Sequence, residues 1–324
     1  MKKIILAAAM LALATSPVLA RDNVQVTGSS TVLPYATIVA ESFGENFDFE
    51  TPVVEGGGSG AGRKKLCEGV GETTVDIANS SSKIKDSDIE MCNANGVTEV
   101  MEVEFGFDGI VFATAIDGPS FALTEKDLYL ALSADSTATT WDQVNPELPS
   151  QKIMVFIPGT KHGTREVFDV KVMEEGCKAA LGVEKLDDDQ KKACINVRTD
   201  GVAIDIDGDY TETLSRLSTN PNAMGVFGLS FYQNNTDKLQ IATVSGVVPS
   251  VETISTGEYP ISRPLYFYVK LAHIGIIPGL KEYVEFFVSD EMAGPNGPLS
   301  DYGLVPHPDL AAIQAHVAAL TPLK

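Results

Sequence analysis

Positive charge is scarce in this chain. Its 324 residues carry 24 lysines and arginines against 44 aspartates and glutamates, a formal charge of −20 at pH 7. Such a surface repels nucleic acid and anionic lipid, and no Lys/Arg cluster is large enough to reverse the sign locally, so nucleic-acid partners are excluded. Tryptophan occurs once, as Trp141, and is read as packing. Histidine is nearly as rare: His162 alone stands in a promising loop, while His273, His307 and His316 fall in late, unrelated contexts. Long apolar runs are missing beyond the N-terminus, so no later segment is a candidate membrane span. Internal repeats and low-complexity tracts are also missing. With 44% hydrophobic and 21% charged residues, the composition is that of a folded globular protein.

Cysteine is limited to Cys67, Cys92, Cys177 and Cys194. The N-terminal "MKKIILAAAMLALATSPVLA" places two lysines before an apolar run too short to cross a bilayer, and "VLA" offers small residues for cleavage. Residues 1–20 therefore read as a secretory signal and Arg21 as the start of the exported chain. Loss of Lys2 and Lys3 makes that chain two units more negative than −20. In an oxidising compartment an even cysteine count implies disulfides, and three connectivities are open. Nearest-neighbour pairing, Cys67–Cys92 and Cys177–Cys194, is the favoured one. The spacings match no familiar zinc pattern, and no metal site is expected.

The length suits two lobes. "NVQVTGSS" alternates as a strand does, and Leu33 to Phe43 has helical spacing with Ser30 or Thr31 placed as cap. "FETPVVEGGGSGAG" reads as a strand entering a glycine turn, "GRKKLCEGV" as a helix start, "TTVDIANSSS" as a third strand and "EVEFGFDGIVFATA" as a long apolar one. Past Pro119 the rhythm restarts: helical "LTEKDLYLAL", then "KIMVFIPGTKHGTREVF" as strand, polar loop and helix start. After these come strand-like "AMGVFGLSFYQ" and "SRPLYFYVK" and helical "LKEYVEFFV". Asp187 to Asp209 reads as a surface excursion. A βαβ rhythm with short loops implies an α/β fold in which each lobe is a mainly parallel, doubly wound sheet.

Four loops share one grammar, in which a strand is followed by small hydroxyl or glycine residues and then a helix start: "TGSSTVLP", "EGGGSGAGR", "DIANSSSK" and "PGTKHGTRE". In open α/β sheets ligands bind at such strand ends, where free backbone N–H groups favour anions. Ser and Thr donate hydrogen bonds without adding charge, and Arg165 offers a two-pronged donor to an oxyanion. Enzyme motifs fail by comparison. "GGGSGAGRK" lacks the end of a nucleotide P-loop, and "GGSGA" misses the last glycine of a nucleophile elbow. "DIDGDY" has Tyr210 where a calcium loop needs glycine, and reads as a solvated turn. No enzyme activity and no cofactor are expected.

Taken in order, "TGSSTVLPY", "GGGSGAG", "VDIANSSSKI", "GFDGIVFA", "HGTREVF" and "SRPLYFYV" resemble the PstS-type substrate-binding family, the periplasmic phosphate-binding proteins of phosphate ABC transporters. The resemblance covers nearly all of the exported chain. It implies a two-lobed type II periplasmic binding protein fold hinged by crossover strands, with lobe 1 at residues 21–112 plus 266–324 and lobe 2 at 113–265. The implied protein is a periplasmic monomer that closes on inorganic phosphate and delivers it to a membrane permease. Carried across, the phosphate-binding residues are Ser30, Thr31, Val32 (through its N–H), Ser59, Ser80 and Ser81 from one lobe, and His162, Gly163, Thr164 and Arg165 from the other. Many members place an aspartate at the Ser81 position, where it accepts the ligand's proton, and Ser-Gly-Thr where this chain has His162-Gly163-Thr164. Asp76 and Asp108 are the alternative acceptors. Other readings are a binding protein for sulfate or molybdate, or a secreted phosphatase.

Overall fold

The computed structural model describes residues 21–160, 164–207 and 210–323. The expected signal segment, His162 and Gly163 lie outside the described residues. The strands are β1 (Gln25–Gly28), β2 (Val53–Gly56), β3 (Ile77–Ser80), β4 (Val100–Ala115), β5 (Ala122–Leu123), β6 (Val155–Pro158), β7 (Ala203–Ile206), β8 (Met224–Gly228), β9 (Leu239–Ile241), β10 (Thr243–Val244), β11 (Ser262–Lys270) and β12 (Val305–Pro306). Ten of them form one curled sheet in the order β2-β1-β3-β11-β4-β8-β6-β7, with β9 and β12 also paired to β4; β5 and β10 pair separately. β1 is parallel to β2 and β3, and β6 is parallel to β7 and β8.

Two antiparallel strands join these parallel blocks. β4 and β11 pair from Val100↔Lys270 to Gly109↔Ser262, with one register shift at Leu265/Tyr266. The same pair crosses between two cores. Val103 and Phe105 on β4, with Leu265, Phe267 and Val269 on β11, pack into the first core. Phe107 and Ile110 to Ala113 on β4, with Ile261 just before β11, pack into the second. A strand buried on both faces reads as a continuous apolar run, which is why "GFDGIVFATA" and "PLYFYV" lack alternation. The molecule is thus two α/β lobes joined by crossover strands.

Helices bring the strand ends to the middle. The first-lobe helices are α1 (Leu33–Asn46), α2 (Ser59–Leu66) and α3 (Asp86–Ala94). In the second lobe, α4 (Glu125–Leu132), α5 (Trp141–Val144) and α6 (Thr164–Val167) follow, and α6 continues through wider π turns over Phe168–Glu174. α1 buries Tyr35, Ala36, Val39, Ala40 and Phe43, the three- and four-residue spacing of one helix face. The sequence expectation of a Ser30 or Thr31 cap is corrected: Val32 is the N-cap and no side chain caps the helix, while Ser29 Oγ accepts the Thr31 and Val32 N–H groups of the preceding turn at 3.2 and 3.4 Å. α4 begins with a capping box, Thr124 N–H to Asp127 at 2.9 Å and Asp127 N–H to Thr124 Oγ1 at 3.1 Å. Disulfides Cys67–Cys92 and Cys177–Cys194 resolve the three connectivities into the nearest-neighbour set, one in each lobe. Among the described residues no helix is long and apolar enough to cross a membrane.

Candidate functional site

Three first-lobe loops meet because glycines let their backbones touch. The Ser29 N–H donates to Asn79 O at 2.9 Å, and the Gly58 N–H to Gly28 O at 2.8 Å. A Cβ on Gly62 would lie 2.5 Å from Gly28 Cα, so α2 rests directly on the end of β1. That approach sets Ser59, the first residue of α2, beside Ser81 just past β3: Ser59 Oγ accepts the Ser81 N–H at 3.1 Å and lies 3.2 Å from Ser81 Oγ. Two hydroxyls thus stand side by side at the carboxyl ends of parallel strands.

The other first-lobe residues divide. Thr31 and Val32 are buried, while Ser30 is exposed. Ser80 is taken up by structure: its Oγ accepts from Arg63 Nη1 at 2.6 Å and donates to Ser82 O at 2.6 Å. Arg63 is itself buried and paired with Asp88 at 2.7 Å. Asp76, offered by the sequence as a proton acceptor, lies at the opposite end of β3 from Ser80 and Ser81. There it binds Arg21 at 2.5 Å, His273 Nδ1 at 2.6 Å and the Gln25 N–H at 2.7 Å, so it is a fold-stabilising carboxylate remote from the hydroxyls.

In the second lobe Thr164 is buried at the start of α6. Arg165 follows, but its guanidinium is held within its own lobe. Nε donates to Asp169 at 2.7 Å, Nη1 donates to Asp205 at 2.6 Å and to Pro158 O at 3.0 Å, and the group lies over the Phe168 ring.

A second arginine, Arg263, lies where the two lobes meet. Arg263, on β11, is 8% exposed and donates from Nη2 to Thr31 Oγ1 at 2.6 Å, with Nη1 3.4 Å from Glu166. The Thr31 hydroxyl in turn donates to the Glu166 carboxylate. This chain of contacts joins the first lobe, the crossover strand and α6. Beneath it, Asp108 on β4 is 2% exposed, its Oδ2 4.0 Å from Arg263 Nε. Neither of those two atoms has a hydrogen-bond partner among the described residues. Burial pushes the Asp108 carboxyl up to about 6; Arg263 pulls it back down and Glu166 adds to the rise.

Sequence reasoning missed Arg263 and Glu166. Arg263 carried one usable signal, a cation near the start of a strand that is apolar or aromatic from Pro264 to Val269. The assembled groups are hydroxyls and backbone ends from one lobe, a buried guanidinium from the crossover and a helix start from the other. Such a set has the chemistry to hold a small anion by directed hydrogen bonds. The remaining described histidines face elsewhere: His273 binds Asp76, His316 lies 2.9 Å from Glu102 O, and His307 lies 3.7 Å from Glu104.

Comparison with known proteins adds to this geometry. A family model described as a PBP superfamily domain matches residues 14–291. The chain is 29% identical over 309 residues to Protein SphX of Synechocystis sp., covering 92% of this chain and 82% of that protein. It is 30% identical over 275 residues to the phosphate-binding protein PstS of Staphylococcus epidermidis, covering 82% and 74%. Among solved structures, a possible phosphate binding protein from Planctomyces limnophilus superposes with a TM-score of 0.72 at 24% identity, covering 92% of this chain and 98% of that one. PstS from Borrelia burgdorferi gives a TM-score of 0.60 at 20% identity, covering 88% and 99%. These two likenesses are of fold.

Proposed function

The chain belongs to the PBP superfamily and, within it, to the PstS-type phosphate-binding proteins; from that premise we propose that it captures inorganic phosphate between its lobes and hands it to an ABC transporter permease. The protein acts as an exported, periplasmic monomer after loss of residues 1–20; the expected lobe bounds, 21–112 plus 266–324 and 113–265, shift by a few residues within the crossover strands, since Ile110 to Phe112 pack into the second core and Leu265 into the first. Binding involves no covalent chemistry. The observation that carries the reading is the meeting of Thr31, Arg263 and α6 across the two lobes, near a loop cluster that also holds the paired Ser59 and Ser81 hydroxyls.

A ligand that touches both lobes at once stabilises the closed arrangement, and closure follows from that differential binding. We assign Thr31, the Val32 N–H, Ser59, Ser81 and Thr164 to the phosphate oxygens, with Arg263 as the principal cation and Arg165 ordering the second-lobe loop. Among the described residues Asp108 is the buried carboxylate beside this cation, and we assign it, in place of Asp76, as the group that senses the ligand's proton.

Ser81 favours a second reading. A hydroxyl accepts and donates alike, so this position alone rejects sulfate less strictly than a carboxylate would. Isothermal titration with phosphate and sulfate at neutral pH decides between the two. Phosphate should bind at least about 100-fold more tightly, the discrimination available to a site that leaves a buried polar group unpaired with the wrong guest. Equal affinities would end the phosphate assignment in favour of a general tetrahedral oxyanion site.

A further inference from the structure

Glu166 holds the seat that the proposed ligand needs. The Thr31 hydroxyl has one proton; because its oxygen already accepts from Arg263 Nη2 at 2.6 Å, that proton goes to the Glu166 carboxylate. Arg263 Nη1 also points to Glu166, at 3.4 Å. One carboxylate therefore takes the Thr31 hydroxyl and one guanidinium nitrogen of Arg263 and links the first lobe to the second.

We propose that Glu166 is a built-in stand-in for the ligand, so that an oxyanion binds by exchanging with its carboxylate. The inference rests on the oxyanion-binding reading above. Exposure separates the movable partner from the fixed ones: the Glu166 side chain is 42% exposed, whereas Thr31 and Arg263 are 1% and 8% exposed. Glu166 can swing into water without unpacking the core; its partners cannot follow. A dianion and a carboxylate cannot share these donors, since like charges a few ångströms apart repel strongly where water is excluded. Once Glu166 leaves, Arg263 keeps its bond to Thr31, but among the described residues Asp108, at 4.0 Å and not hydrogen-bonded to it, is the carboxylate left beside it, so Nη1 is open to a new anion.

Exchange sets a threshold on what can bind. A tethered carboxylate competes at the high effective concentration of an intramolecular partner. Small monoanions such as acetate offer the same chemistry as Glu166 without the tether, and lose to it. A tetrahedral dianion succeeds because it reaches more donors at once, the Ser59 and Ser81 hydroxyls among them.

The test is titration calorimetry of wild-type protein, Glu166→Ala and Glu166→Gln with phosphate, sulfate and acetate, with thermal melts to verify folding. Glu166→Gln keeps the shape and removes only the charge. Both variants should bind phosphate about tenfold more tightly than wild type (about 1.4 kcal/mol), gain similarly for sulfate, and acquire measurable acetate binding. Binding by the variants alone, with a silent wild type, would also support the stand-in role. Unchanged phosphate affinity in variants of a phosphate-binding wild type overturns this inference and leaves the oxyanion reading standing. So does weaker phosphate binding with sulfate spared, which would make Glu166 a partner of the bound ligand. Oxyanion binding by neither wild type nor variant overturns both.

Discussion

A carboxylic acid as enclosed as Asp108 ionises reluctantly, and the consequence is readable as stability. Its pKa in the fold is about 6, above the value of about 3.9 for an unfolded aspartate. Because the folded value is the higher one, the folded state holds the proton more tightly. The associated stability is complete below about pH 4 and is lost as pH rises through about 6. A rise of about two pKa units corresponds to about 3 kcal/mol. Asp108→Asn mimics the protonated acid at every pH. It should gain on wild type by up to about 3 kcal/mol between pH 4 and pH 7.5, measured as the widening gap between their thermal unfolding curves. A constant gap across that range would show an unshifted carboxyl. At this scale the sequence was half legible. Thr31, Ser59 and Ser81 announce themselves as hydroxyls before helices, whereas Arg263 meets Thr31 across 232 residues of chain. Arg165 is named by a sequence neighbourhood that resembles a binding loop, whereas its partner Asp205 lies 40 residues away and gives no such signal.

At the scale of elements, the stretch "GGGSGAGRK" holds glycines of opposite kinds on one helix. A Cβ at Gly62 would meet Gly28 Cα at 2.5 Å and Thr27 O at 2.9 Å, both backbone atoms that cannot step aside. A Cβ at Gly60 would meet nothing within 4 Å. Gly62→Ala should therefore cost roughly 1–3 kcal/mol by overpacking and weaken phosphate binding, since lifting α2 displaces Ser59. Gly60→Ala should stabilise by up to about 1 kcal/mol through helix propensity alone. Paired thermal melts check the signs; equal effects would mean that α2 does not rest on β1. The contrast shows what sequence can and cannot say about elements. The glycine run marks a strand-to-helix turn, but which glycine is indispensable depends on a contact with β1 some 30 residues earlier. The same limit explains β7. Asp187 to Asp209 was expected to be a surface excursion, yet Ala203–Ile206 extends the sheet beside β6. Ala203 and Ile204 are half-buried, Asp205 is exposed and Ile206 alone is buried, so the segment carries too little apolar signal to be seen as a strand. "AMGVFGLSFYQ" likewise splits into β8 and a helix over Leu229–Gln233, because a short apolar run does not reveal where its period changes. Strands β1, β2, β3, β4 and β11, whose composition is less equivocal, were legible throughout.

At the scale of the whole molecule, an anion must approach a body with a formal charge of −20. The proposed site does not soften that field: Arg165 and Arg263 lie among Asp108, Glu166, Asp169 and Asp205. Contact recognition and long-range attraction therefore oppose each other. Once seated, the anion is held by short, directed bonds that salt screens little; on the way in it feels the summed repulsion, which salt screens well. The Debye length falls from about 30 Å at 0.01 M salt to about 10 Å at 0.1 M, so added salt removes the approach penalty first. Association of phosphate should then accelerate a few-fold as sodium chloride rises from 0.01 to 0.1 M, the reverse of the usual slowing for oppositely charged partners. Dissociation should change little over the same range. Stopped-flow measurement of both rates is the check. An association rate that falls with salt would mean that a positive local potential steers the ligand, and the view of a site built from hydroxyls, one guanidinium and a displaceable carboxylate inside a repelling shell would have to be abandoned.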